Sequence, residues 1–305
     1  MLNFILFLSI LISCQGPQKE QEQVIISSDY KEVTNTPDIL IEKLSKKIRE
    51  TSGLAEFDSL IWTINDSGGG NFIYALNKNT GKIKRKIGIK KAKNHDWEAL
   101  ASDKEFIYIA DVGNNKGNRI DLKVYKVKKK SLKAGKEEAK SETIYFNYPD
   151  QKIFYRTKRR SRFDCEAIIS FGDSLVLFTK DWFTNKTRMY SIPKEPGSYE
   201  AKLLDTFNAN GLITGADLSK DGKKLVLCGY SNFDPFLWIF EDFEGKDFFA
   251  GKVTRVEYPS FRDAQTEGVL FMGNDSILVS SERSPSYSQR IYYFSHSKIM
   301  EEIGK

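Results

Sequence analysis

The sequence predicts an all-β fold in which one four-stranded unit recurs through most of the chain. Three observations predict it. Short strands pairing an apolar residue with a ring recur at long intervals. Each is preceded by a strand that is mostly a continuous apolar run. Before that comes a strand that opens on a polar residue beside small ones. Recurrence at such a period marks a repeat architecture. Four-stranded units repeated radially make a β-propeller, usually of about 4–8 blades.

The elements follow in order. Met1 to Ser13 is uncharged and almost wholly apolar. A bilayer span needs about 20 residues, so this stretch has the size of a signal-peptide core instead. Leu11-Ile12-Ser13-Cys14 resembles the bacterial lipobox, which implies lipidation at Cys14, although no Lys or Arg precedes the apolar run. Residue 15 is Gln, not Asp, and the resemblance to gram-negative lipoproteins then implies the outer membrane. The expected organisation is a signal peptide over 1–13, a polar tether over 14–36 and a propeller over 37–305.

The leading strands are Ser52-Gly53-Leu54-Ala55, Glu98-Ala99-Leu100-Ala101, Glu166-Ala167-Ile168-Ile169, Thr214-Gly215-Ala216-Asp217 and Glu267-Gly268-Val269-Leu270. Small residues suit inner strands that crowd around an axis. The second strands, Leu60–Ile64, Ile107–Ala110, Leu175–Phe178, Leu225–Cys228 and Ile277–Ser280, are mostly apolar, as strands covered on both faces should be. The third strands carry the rings: Phe72–Leu76, Lys123–Val127, Arg188–Ile192, Leu237–Phe240 and Arg290–Phe294. Polar outer strands follow at Lys82–Ile89, Thr143–Tyr148, Lys202–Phe207 and Lys252–Tyr258. The last unit lacks one. Ile39–Leu44 is expected to supply it and close the ring.

The count is therefore five blades. A six-bladed ring needs a further unit that the sequence does not show, and two β-sandwiches do not explain a repeat through the whole chain. The leading residues are spaced by 46, 68, 48 and 53. The longest interval holds Lys128–Lys140, rich in Lys and Glu, which is expected to be a solvated loop.

Composition agrees and excludes other classes. The chain has 305 residues, 40% hydrophobic and 13% aromatic, with 21 Gly and 8 Pro, which excludes collagen, coiled coil and bulk disorder. A charge of +6 over this length is weak evidence for a nucleic-acid partner, and none is expected. Three Cys exclude a disulfide scaffold. Cys165 and Cys228 lie in apolar strands and are expected to be buried free thiols.

Ser52, Glu98, Glu166, Thr214 and Glu267 occupy equivalent places and should converge on the axis. Three carboxylates in a narrow tunnel repel one another and need a positive partner. A set of carboxylate and hydroxyl oxygens suits calcium, which takes about 6–8 oxygen ligands. No cluster of His or Cys points to zinc. Any single Glu could instead pair with a Lys.

These segments resemble the calcium-activated nucleotidase (apyrase) family, five-bladed propellers with calcium in the tunnel. That family presents Ser, Glu, Glu, Ser and Glu in chain order. Ser52-Gly53-Leu54, Asp96-Trp97-Glu98-Ala99-Leu100-Ala101, Asp164-Cys165-Glu166-Ala167, Thr214-Gly215-Ala216-Asp217 and Gln265-Thr266-Glu267-Gly268-Val269 match that order, with Thr for the second Ser. The resemblance implies fold and metal more firmly than activity.

The loops after the second strands should ring one mouth: Asn65–Gly70, Asp111–Asn115, Thr179–Trp182, Tyr230–Asn232 and Glu282–Ser284, with Arg119 close behind. Carboxylates, amides and cations together suit a polar small-molecule site, although Asn-Asp-Ser-Gly is also ordinary turn chemistry. Asp66 and Asp111 are candidate acid–base groups, and Lys180, Arg119 and Arg283 candidate stabilisers of negative charge. The mouth loops depart from the nucleotidases, so nucleotide specificity is not inherited. Only His95 and His296 are available as imidazoles, and no nucleophile elbow is visible. The basic run Arg156–Arg162 is a loop or an anion contact at the mouth. The expected activity is hydrolysis of a phosphoanhydride or phosphoester in a small anionic substrate. The rival is a non-catalytic module with structural calcium that binds a glycan or peptide. A monomer is expected in either case.

Overall fold

The computed structural model describes residues 24–25, 30–156, 158 and 160–304. The signal segment, Cys14 and most of the span assigned to a tether lie outside the described residues.

The chain is all-β, and its strands run as antiparallel meanders. The first meander is Thr51–Phe57, Leu60–Asn65, Phe72–Asn77 and Ile83–Lys90. The second is Trp97–Ser102, Phe106–Asp111, Lys123–Lys128 and Glu138–Asn147. The third is Asp164–Phe171, Ser174–Lys180, Thr187–Pro193 and Lys202–Phe207. The fourth is Leu212–Leu218, Lys224–Ser231, Asp234–Glu241 and Lys252–Glu257. The last is Thr266–Met272, Ser276–Ser281 and Arg290–Ser295, with Asp38–Ile41 paired antiparallel to Arg290–Ser295.

The leading strands pack side by side in chain order, and Thr266–Met272 packs back against Thr51–Phe57. Apolar side chains fill the spaces between neighbouring meanders. Tyr148 and Tyr190 lie 4.6 Å apart between the second and third. Phe207, Trp238 and Phe240 cluster between the third and fourth, with ring centroids 5.0–5.1 Å from Phe207. Such ring pairs add specific geometry to the burial of large apolar surface. Cys165 and Cys228 are buried and free, as expected.

Three local features differ from the sequence expectation. Lys128–Lys140 is not simply a solvated loop. Leu132 is fully buried beside the core at the end of a 3₁₀ turn, Lys129–Leu132, and Glu138–Lys140 pairs in parallel with Gly88–Lys90. Two buried apolar residues, Leu132 and Ala139, anchor this Lys-rich run. Lys31–Thr34, inside the span read as a tether, is a strand added in parallel to Lys252–Glu257. His296–Ile303 is a helix capped by Ser295, whose hydroxyl accepts from Lys298 N, and Ile299 is buried under it. His296 Nε2 lies 3.1 Å from Glu241 Oε1, which assigns this histidine a packing role.

Candidate functional site

The leading strands share a feature that aims their polar residues. Each carries a β-bulge near its start. The residue skipped by the ladder is Glu98, Glu166, Thr214 and Glu267 in the second to fifth meanders. In the first, Ser52 keeps a partner in Ile64 and Gly53 is skipped. A bulge bends the strand and re-aims the side chain at that point.

The residues expected to converge then divide by chemistry. Glu98, Glu166 and Glu267 are 5%, 6% and 8% exposed. The hydroxyls of Ser52 and Thr214 instead donate to backbone carbonyls of the next meander, Glu98 O and Thr266 O. They stitch neighbouring leading strands together. The required positive partner is present as a side chain, because Lys180 Nζ lies 2.8 Å from Glu166 Oε2 with both groups buried. Lys180 also sits 4.9 Å from the Trp182 ring and 5.3 Å from the Tyr230 ring. Burial pulls its ammonium down, but Glu166 and Glu267 outweigh that and hold it well above the usual lysine range.

One lysine does not balance the acids gathered here. Asp66, Asp96 and Glu98 bring carboxylate oxygens within 4.8 Å of one another. Burial is the main cause that pushes Asp66 up to about 6 and Asp96 to about 6. Burial, then Glu166 and Asp66, pushes Glu98 well above the carboxylate range. Burial with Glu166 takes Asp164 to about 7, and burial with Asp66 takes Glu282 to about 8. Among the described residues, no hydrogen-bond donor reaches the Glu98 carboxylate.

Backbone contacts fix this cluster. Asp66 Oδ1 accepts from Ser67 N, and Asn94 Nδ2 donates to Asp66 O at 3.1 Å. Asp96 N donates to Asp111 Oδ1 at 3.2 Å, and Gly113 N donates to Asp96 O at 3.2 Å. A Cβ on Gly113 would stand 2.3 Å from Glu98 Oε1 and 2.5 Å from Asp96 Oδ2. A side chain there would push the two carboxylates from these positions.

The other mouth candidates are committed elsewhere. Asp111 is fully buried and 2.9 Å from Arg119. Arg119 also donates to Gly113 O at 2.9 Å and to Asp121 Oδ1 at 3.1 Å. The pair latches the loop that carries Gly113. Arg283 is exposed and lines a separate cleft. Arg156 of the basic run, with Ser67, His95, Asp96, Asn114 and Trp182, lines a cleft of about 730 Å³ at the mouth.

The sequence did not single out Asp96 or Asp164 for the site, although it placed Glu282 in a mouth loop. Its signal was present in Asp-Trp-Glu and Asp-Cys-Glu. Acids two apart share one face of a strand, so each pair doubles the carboxylates at one opening.

At the other end of the leading strands a cleft of about 610 Å³ is lined by Glu56, Lys129, Asp217 and Phe271 among others. Asp217 Oδ2 accepts from Phe271 N at 2.8 Å, yet burial pushes it up to about 7. A carboxyl raised in the folded state contributes most below its unfolded pKa, and stability is lost as pH rises through the folded value. Asp217→Asn is expected to stabilise the protein, and its advantage should grow by roughly 2–3 kcal/mol between pH 5 and pH 8. Thermal melts at both pH values check this. An advantage that does not change with pH would show that Asp217 is ionised in the fold.

These features define a β-propeller. The structure of the PQQ-bound aldose sugar dehydrogenase from Streptomyces coelicolor matches with a TM-score of 0.52 at 11% identity, over 85% of this chain and 98% of that one. The β-propeller domain of Cps50 (Swd1) from Myceliophteria thermophila matches with a TM-score of 0.43 at 10% identity, over 85% and 99%. A putative TolB from Agrobacterium tumefaciens matches with 0.41 at 11%, over 80% and 76%. At these identities the likeness concerns the fold alone. No family model matches the sequence, and no curated protein does.

Proposed function

We propose that the chain is a five-bladed propeller, closed by Asp38–Ile41, that binds a divalent cation at its mouth and acts on a small phosphate-bearing substrate there. The cation is calcium, and Cys14 tethers the protein to the outer membrane. The observation that carries the reading is Glu98. Glu98 is 5% exposed, has no donor among the described residues and lies 4.8 Å or less from the oxygens of two further acids, a crowding that either a proton or a cation relieves. The donors are all oxygens, which fits calcium.

The placement of the cation shifts relative to the sequence expectation. Glu98 belongs to both sets. Asp66 and Asp96 replace Ser52 and Thr214, whose hydroxyls are spent on carbonyls, and Glu166 is neutralised by Lys180. Bound there, calcium supplies positive charge that polarises a phosphoryl oxygen. The chain's own groups orient the substrate. Asn114, Arg156 and Trp182 line the cleft beside Asp96.

Calcium is expected to raise Tm. At about a thousandfold excess over Kd the gain is about 4 kcal/mol, roughly 5–10 °C for a chain of this size. Glu98→Gln should remove most of that shift. Melts in EDTA and in calcium at pH 7.5 test the cation independently of any turnover. An identical Tm in both would sink it.

A non-catalytic module that binds a glycan or peptide is the second reading. The commitment of Asp111 and Arg119 to the Gly113 loop favours it, because it removes two groups expected to do chemistry. A calcium-dependent hydrolysis screen over nucleotides, phosphoesters and carboxyl esters separates the two.

A further inference from the structure

A third cleft, of about 470 Å³, lies between the segment that follows the closing strand and the loop after Ser276–Ser281. Its walls are pinned. Leu44 N donates to Gln289 O at 2.9 Å, and Arg283 N donates to Arg49 O at 2.9 Å. Gln289 Nε2, in a side chain 3% exposed, donates to Leu44 O at 2.9 Å and Ser45 O at 3.0 Å. Ser284 N donates to Tyr287 O at 3.0 Å, and Tyr287 N donates back to Ser284 Oγ at 3.1 Å.

The lining holds Lys43, Lys46, Arg49 and Arg283 and no carboxylate. Glu50 and Glu282 line an adjoining hollow with Arg49 and Arg283, but no ion pair joins any of the four cations to an acid of the described residues. What sets this cleft apart is that four cations share one lining without a carboxylate among them. The pinned backbone holds the four cation-bearing positions around one cleft, where their positive potentials add.

We propose that this cleft binds a phosphate-bearing anion. Two guanidinium forks match phosphate oxygens in pairs, two ammonium groups add point charge, and the hydroxyl of Ser288 adds a donor, while that of Ser286 donates to Asp263 Oδ2 at 3.5 Å. The volume exceeds that of a bare ion, since a water occupies about 30 Å³, and it admits a phosphorylated small molecule or headgroup. The site is separate from the cation cluster, none of whose acids lines it.

Calorimetric titration of the full chain with inorganic pyrophosphate, in low salt without calcium, tests the proposal. Saturable binding is expected. Arg49→Gln/Arg283→Gln should weaken it by about tenfold or more, a change of about 1.4 kcal/mol. Lys128→Gln/Lys130→Gln, which removes two distant exposed charges, should leave it unchanged, and so should Glu98→Gln. Sedimentation with phosphatidylglycerol vesicles separates the sources of the anion. Vesicle binding lost in the Arg double variant assigns a lipid headgroup. Pyrophosphate binding without vesicle binding assigns a soluble phosphate compound. Equal loss in the two double variants, or no binding of either probe, overturns the cleft.

Discussion

Lys180→Met is expected to lower the free energy of unfolding by about 3–5 kcal/mol at pH 8. The substitution keeps most of the side-chain volume and removes the charge 2.8 Å from Glu166. Glu166 is then left buried among Asp66, Asp96 and other acids that already push it upward. It escapes by taking a proton. Its folded pKa rises further, so the loss grows as pH climbs above the unfolded carboxyl value and shrinks toward pH 5. Adding Glu166→Gln should restore part of the stability, because Glu166 then no longer carries a buried charge without its partner. Urea denaturation at both pH values measures this. A loss under about 1 kcal/mol at pH 8 would mean that Glu166 is satisfied without Lys180.

Gly53→Ala has an effect of similar size from a different cause. Gly53 has φ +58, and a Cβ there would stand 2.4 Å from Leu100 N and 2.8 Å from Ala99 C. Those are backbone atoms of the neighbouring leading strand, so nothing flexible can yield. The left-handed conformation costs roughly 1–2 kcal/mol for alanine, and overpacking adds roughly 1–3 kcal/mol. Gly135 separates the two contributions. It also has positive φ, +80, but nothing lies within 4 Å of its Cβ position. Gly135→Ala should therefore lose only the conformational part. Equal losses in the two variants, compared by denaturant unfolding, would show that the approach of the first two leading strands is not rigid.

Much of the fold was legible because propeller strands are local objects. Phe72–Asn77 shows its ring-bearing pattern, and Leu60–Asn65 its apolar run, within a few residues. Repetition then supplied what a single strand cannot, since the order of strand classes was the same each time. Exceptions occurred where one or two side chains outweighed composition. Leu132 and Ala139 anchor a Lys-rich run, and Ile299 anchors a short helix in a polar tail.

The site was legible in part. The sequence singled out Glu98, Glu166 and Glu267, and all three are buried on leading strands. It named Asp66 and Lys180 on the loops above them, and both lie in the same charged centre. It did not show which acids would gather with one another and which would take an ammonium. Asp111 and Arg119 looked like chemistry and serve to hold the loop of Gly113.

The amino-acid sequence by itself determined the strands, their order, the small residues at the leading positions and the surplus of acid at one end of them. Periodicity and residue size act over a few neighbours, so no distant information is needed. Only the tertiary structure decided which charges meet. Glu166 finds Lys180, while Asp66, Asp96 and Glu98 close on one another. Electrostatic partnership depends on distances of a few ångströms between residues far apart in the chain, and bulges and loop closures set those distances.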